Sequence, residues 1–426
     1  MSQKKNKIKE FIQFSIKNSG TLFILKLLGL GLNYFILLLI LHFYDFKGNG
    51  EYAVVLELAR GLKVFVVFGL DYLLVKELTS INTQNRGLES LLGTFLVNNF
   101  LFFLLFSFCH LIFDLDMNIF YWTIFMSVWR FTGHYYRGKD SMVLYGFFEF
   151  VIFQLIALTS IICSNFIFNG FNFETIINIL SLLVIVFLAA FKLPKILSQI
   201  NKSVIETIKI TFLNLYSVYK KGFHFVLTNS TNILSISILY VIIKENYSSE
   251  VLGVYDTVLK FAMIVSLPLI AASGRVMTLS AQYFNNDKMN ELRSYIHNIT
   301  RMLIIVSTLA AIGVSIFFIV YSFYFNITLK DYWLLFAVLV AGQLVNNWTG
   351  PVGIVLQVTN NEKIFNRITM LFGAYLVFST FILAKFFDIY IIAINMLLYL
   401  SCVNYFALRV QKRKLDIRPH KKLLKK

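Results

Sequence analysis

The stretch EYAVVLELARGLKVFVVFGLDYLL, residues 51–74, is apolar over a length that crosses a bilayer, yet Glu57, Arg60, Lys63 and Asp71 are set into it. About 20 mainly apolar residues make a transmembrane helix, and an ionisable group inside one is a functional candidate by default. The rest of the chain suits the same medium. It is 58% hydrophobic and 14% charged, with a mean hydropathy of +0.72, whereas a soluble domain runs near a quarter charged. The composition predicts an all-α polytopic membrane protein with no sizeable soluble domain, whose function lies inside the bilayer.

Working outward, apolar windows bounded by polar or basic clusters fall near 21–43, 52–75, 91–113, 119–137, 143–168 and 174–193. A second set follows near 222–243, 251–274, 302–325, 332–357, 365–387 and 388–410. The first window is too long for a cleaved signal peptide and is expected to stay as a span. About twelve transmembrane helices result. They divide into an N-terminal lobe (1–193) that opens with an amphipathic helix carrying Ile8, Phe11, Ile12 and Ile16, an interlobe connection (194–221), a C-terminal lobe (222–410) and a basic tail (411–426).

Direction follows from the cations. Of 39 lysines and arginines, thirty lie on the side of the N-terminus and only Lys47, Lys244, Lys330 and Lys385 on the other. The positive-inside rule then places both termini in the cytoplasm. The tail QKRKLDIRPHKKLLKK is read as a partner for anionic lipid headgroups, not for nucleic acid.

Soluble-type chemistry is absent from the sequence. Cys109, Cys163 and Cys402 stand alone in apolar runs, the six histidines are scattered, and no Walker loop, HExxH, GxSxG or dinucleotide fingerprint occurs. No metal or cofactor is implied and the chain is not read as an enzyme. A polysaccharide polymerase or ligase would need a long outer loop, and every outer loop here is short.

The opening stretch has an echo. Shifting GNGEYAVVLELARGL (48–62) by 203 residues onto EVLGVYDTVLKFAMI (250–264) superposes Gly50 on Gly253, Tyr52 on Tyr255, Leu56 on Leu259 and Glu57 on Lys260. The match falls at the second helix of each six-span half, and repeated halves are how many transporters build a central site.

GNGEYAVVLELARGLKVFVVFGLDYLLVKEL (48–78) also resembles the second-helix region of polysaccharide transporters of the multidrug/oligosaccharidyl-lipid/polysaccharide exporter superfamily. LGVYDTVLKFAMIVSLPLIAASGRVMTLSAQYFNNDKMNELRSYIHNITRMLIIV (252–306) is similar to the matching region of their second lobe. NNWTGPVGIVLQVTNNEKIFNRI (346–368) is similar to their tenth-helix region. The resemblance spans nearly the whole chain but rests on diffuse glycines and tyrosines. It implies two six-helix lobes around a central cleft and a flippase for polyprenyl-diphosphate-linked oligosaccharide in a bacterial cytoplasmic membrane, working with other polysaccharide assembly proteins. The lobe-two match has no equivalent of Arg60, so a symmetric charge pattern does not follow.

Within the spans, Arg60 lies roughly 13 Å below Glu51, close to mid-membrane, and Lys260 comes to a similar depth. Arg130, Lys63 and Lys26 add cations, and Asn33, Asn229 and Asn232 add amides, giving an expected lining for an anionic headgroup and its sugars. On a continuous helix Glu57, Arg60 and Asp71 share one face. Glu57, Asp71, Glu149 and Asp256 are the carboxylates available for ion coupling. The same spacings have plainer readings: Glu57 with Arg60 at i,i+3 and Asp256 with Lys260 at i,i+4 suit structural pairs. Lys26 and Arg130 can snorkel to headgroups, and Asp71 can pair with Lys76 at the rim. Pro268, with Gly274 two turns on, marks an expected bend in the eighth span. The alternative function is an ion-coupled multidrug or metabolite antiporter of the same superfamily, which would favour acidic residues in its cleft.

Overall fold

The computed structural model describes the backbone of residues 2–79, 86–167, 173–197, 204–324 and 328–417. Every regular element among them is helical. Twelve helical passages succeed one another: 2–45, 46–79, Arg86–Phe113, Met117–Gly138, Met142–Phe166, Phe173–Leu197, Val204–Asn246, Ser249–Asn285, Met289–Tyr324, 333–358, Glu362–Leu383 and Ile389–Leu415. Seven stretches are long and apolar enough to span a membrane. One of them, Ile24–Val67, has 44 residues, enough for two crossings of a ~30 Å core at about 1.5 Å per residue. The protein is an all-α, multi-pass membrane protein.

The first two expected spans are one helix, Ser2–Val67, broken only at Asp45 (φ 57, ψ −168). The segment expected to lie at the interface, 203–221, likewise runs without a break into the seventh passage as Val204–Asn246. Lys220 and Lys221 mark a polar boundary in the sequence, but neither residue stops a helix, and Gly222 leaves room for the carbonyl of Phe68 against its α-carbon. The last two spans separate where the apolar run is interrupted by Lys385 and Asp388, in the turn 384–388.

Contacts divide the chain into two compact units, Met1–Asp45 with Val54–Ser237, and Phe46–Ala53 with Ile238–Lys426. In the first unit the lipid-facing and packed sides separate cleanly along Arg86–Phe113. Leu96, Phe100, Leu101, Leu104, Leu105 and Phe108 are exposed, while Ser90, Thr94 and Asn98 are buried with Leu91 and Phe95. Lipid tails are as apolar as leucine, so close packing and polar contacts, not the hydrophobic effect, hold such helices together. Gly29 shows the consequence: an added β-carbon would run into the carbonyl of Phe150, so the first passage packs directly on the backbone of the fifth.

The second unit contains the echo found in the sequence. A β-carbon on Gly50 would meet the carbonyl of Ser249, and one on Gly253 would meet the carbonyl of Phe46. Residues 46 and 249, like 50 and 253, differ by the repeat shift of 203, so the two repeat-related glycines face each other across one helix crossing. A side chain on either would force the backbones apart.

Candidate functional site

The first unit assembles its charges from irregular backbone. The helix that carries Glu57 and Arg60 ends at Val67, and Phe68 (φ 45) and Gly69 (φ 73) turn the chain before Leu70–Thr79 begins. Asn98 fills part of the gap: its side-chain amide donates to the Val66 carbonyl at 2.9 Å, and its own oxygen accepts from the Tyr219 hydroxyl. Restarting the helix puts Asp71 in a first turn, where helix N–H groups favour a carboxylate, and Asp71 Oδ1 accepts from the Tyr72 N–H at 3.0 Å. The helical phase drawn through 57–71 therefore does not hold, and Asp71 is placed by the break.

Arg130 lies on Met117–Gly138 and reaches two carboxylates. Its Nε donates to Asp71 Oδ2 at 2.7 Å and its Nη1 to Glu149 Oε1 at 3.0 Å. Glu149 stands on a π-helical turn, Phe147–Val151, inside the fifth passage, and such one-turn bulges recur at functional sites. His134, one turn beyond Arg130, has Nδ1 3.0 Å from the Arg130 carbonyl and Nε2 3.9 Å from Asp71 Oδ2. Asp71 and His134 are almost wholly buried. Arg130 is thus tied to acids of two other helices and does not snorkel, and Asp71 pairs with it instead of with Lys76.

The remaining expected residues are placed as follows. Glu57 and Arg60 pair along their own helix. Lys63 is half-buried within electrostatic reach of Arg130, Glu149, Arg60 and Asp71, and it enters no ion pair among the described residues. Lys26 lies over the Phe150 ring, 5.8 Å from its centroid, next to Glu149 in sequence. Asn33 is half-buried, Asn232 exposed, and the side chain of Asn229 lies outside the described residues.

Lys260 belongs to the other unit, within a network that closes on itself. Its Nζ is 2.7 Å from Asp256 Oδ2, four residues back on the same helix. Asp256, 1% exposed, also accepts from the Tyr240 hydroxyl at 2.8 Å and from the Asn49 amide at 3.0 Å. The Asn49 amide is also 3.0 Å from the Gly253 carbonyl and from Thr257 Oγ1. Pro268 sits at the start of Leu267–Asn285, just after the 3-10 turn Ile264–Ser266. Its missing N–H falls at a junction, where a first-turn donor has no partner within the helix anyway. Gly274 is exposed, with open space where a β-carbon would be.

Sequence reasoning missed His134, Asn49 and Tyr240. His134 carried a usable signal, four residues after Arg130 and so on the same helix face. Asn49 directly precedes the repeated glycine but reads as a turn residue, and nothing in the sequence singles out Tyr240.

The sequence matches no protein-family model and no curated protein. Its fold has solved counterparts. A structure of the MATE multidrug transporter DinF-BH in complex with a rhodamine dye superposes with a TM-score of 0.60 at 13% identity, covering 95% of this chain and 97% of the other. A structure of MATE in complex with MaL6 gives a TM-score of 0.56 at 12% identity over 94% and 96%. This chain has the fold of the MATE transporters. The likeness agrees with the expected two-lobe helical architecture, and the narrower resemblance to polysaccharide transporters finds no counterpart in it.

Proposed function

We propose that this protein is a secondary transporter that moves organic solutes across the membrane in exchange for a cation. The observation that carries the reading is the Asp71–Arg130–Glu149 cluster, two carboxylates gathered on one guanidinium inside a membrane unit. Burying an ion pair in a membrane gives little net stability, whereas intramembrane carboxylates are the usual carriers of coupling ions. The MATE-type fold supports it, and the rhodamine dye bound to one counterpart supplies a first substrate to try. The test uses the full chain in proteoliposomes: an imposed proton or sodium gradient should drive accumulation of that dye. Equal uptake with and without every gradient would rule the reading out.

A second reading is favoured by Lys63, whose ammonium meets no carboxylate partner among the described residues. With Lys26, Arg60, Arg130 and Lys260, and with Asn33, Asn229 and Asn232 toward sugars, it suits the diphosphate of a lipid-linked oligosaccharide. Accumulation of that lipid on the cytoplasmic leaflet in cells lacking the protein would support it over solute exchange. In both readings we place the termini in the cytoplasm and the basic tail on anionic lipid. Lobes 1–193 and 222–410 then alternate access about the 194–221 connection, with flexure near Pro268 and Gly274.

A further inference from the structure

The two acids on Arg130 are held unequally. Asp71 has a side chain 3% exposed, the Nε contact at 2.7 Å, the Tyr72 N–H at 3.0 Å and His134 alongside. Glu149 is 16% exposed and has one contact, Nη1 at 3.0 Å. A proton arriving at Asp71 would weaken two hydrogen bonds made to its charged form, each of which resists protonation. At Glu149 it would weaken one, on a side chain that water can still reach. The backbone differs in the same sense, because Glu149 rides on a π-turn whose following carbonyl, that of Phe150, lies against Gly29.

The surroundings balance the charge. From the first passage Lys26 covers the Phe150 ring, and from the second come Lys63, Asp71 and the Tyr72 phenol. The fourth supplies Arg130 and His134, and Tyr145 stands one turn before Glu149 on its own helix. Lys63 and Arg130 against Asp71 and Glu149 sum to zero with Glu149 ionised and to one positive charge with it protonated.

We propose that Glu149 is the carboxylate that takes up and releases the coupling proton, while Asp71 stays ionised as the permanent partner of Arg130. The proton comes from water and forms an O–H bond on Glu149. Arg130 then keeps its charge-assisted bond to Asp71, and the proton returns to water when Glu149 ionises and draws Nη1 back. A cationic solute held within electrostatic reach disfavours the protonated, positive state, which makes proton and solute mutually exclusive. This rests on the reading of the chain as an ion-coupled transporter, and it selects one carboxylate among Glu57, Asp71, Glu149 and Asp256.

Infrared difference spectra of the purified full chain, recorded between acid and neutral pH, test it without any transport. The wild-type minus Glu149→Gln double difference should isolate one carboxylic C=O band, and Glu149→Asp should return the band at a shifted position. A Glu149→Gln protein whose carboxylic bands match the wild type overturns the proposal, as does a Glu149→Asp protein that lacks the band. In proteoliposomes, Glu149→Gln should abolish the acceleration of rhodamine uptake by a pH gradient. A wild-type protein that shows the band but moves no rhodamine sinks the transporter reading and leaves the proton site standing.

Discussion

Asp256 and Lys260 sit one turn apart on a single helix, whereas Asp71, Arg130 and Glu149 come from three passages. In the second unit the acid is saturated by neutral donors, Tyr240 and Asn49, and lies beside a glycine crossing that admits no side chain. In the first, each acid arrives on irregular backbone, the break at Phe68–Gly69 or the π-turn, and one of them keeps a single contact. An i,i+4 pair forms wherever its helix forms and so reports little beyond the helix. A three-helix cluster forms only if the unit is assembled, and it can change when one of its contacts changes. The contrast assigns a structural role to the pair and a working role to the cluster.

Removing the hub should have the largest effect. Arg130→Leu leaves Asp71 ionised and unpaired in the interior, at a cost of about 3–5 kcal/mol, and a large fall in thermal unfolding temperature of the purified protein is expected. Unchanged unfolding would mean that the cluster is not buried as described. Next comes the glycine crossing. Gly253→Ala should cost about 1–3 kcal/mol through overpacking, since the added carbon meets backbone and not a movable side chain. The same loss is expected for Gly50→Ala, and unequal losses would break the repeat symmetry.

Replacing both members of the structural pair should matter less. The double change Asp256→Leu with Lys260→Met is expected to stay within about 1–2 kcal/mol of the parent and to retain transport in proteoliposomes. Lost transport in a folded double variant would move the working site into the second unit. The smallest effect on stability belongs to Lys63→Gln, within about 1 kcal/mol, because no ion pair is broken. Its use is functional. Gradient-driven rhodamine uptake that persists, together with lost delivery of lipid-linked glycan, would turn the choice of function toward the flippase.

Much of this was legible before any coordinates. Apolar windows located the passages to within a few residues in most cases, because lipid imposes a length on each one. Pairs along one helix, Glu57 with Arg60 and Asp256 with Lys260, follow from spacing alone. The repeat shift of 203 pointed at two glycines that prove to touch. What stayed hidden depends on departures from regular helix. Asp71 and Arg130 are 59 positions apart, and the phase of Asp71 is reset by positive φ at Phe68 and Gly69. The π-turn under Glu149 likewise has no marker in FFEFV, a run that any apolar helix could contain.

The break at Asp45 bears on how the protein reaches the membrane at all. Each charge at the centre of a nascent helix adds about 2.5–3.5 kcal/mol to the cost of leaving the translocon for lipid, and the second passage carries Glu57, Arg60 and Lys63 before its own break. By itself it is a poor candidate for lateral release. No hydrophilic loop separates it from the first passage, since a single left-handed residue divides the two within one helix. The strongly apolar run from Leu22 to Phe43 can therefore stay beside it and shelter the charges during synthesis. Asp45 marks the point at which two segments, one readily inserted and one reluctant, enter the bilayer as a single biosynthetic unit.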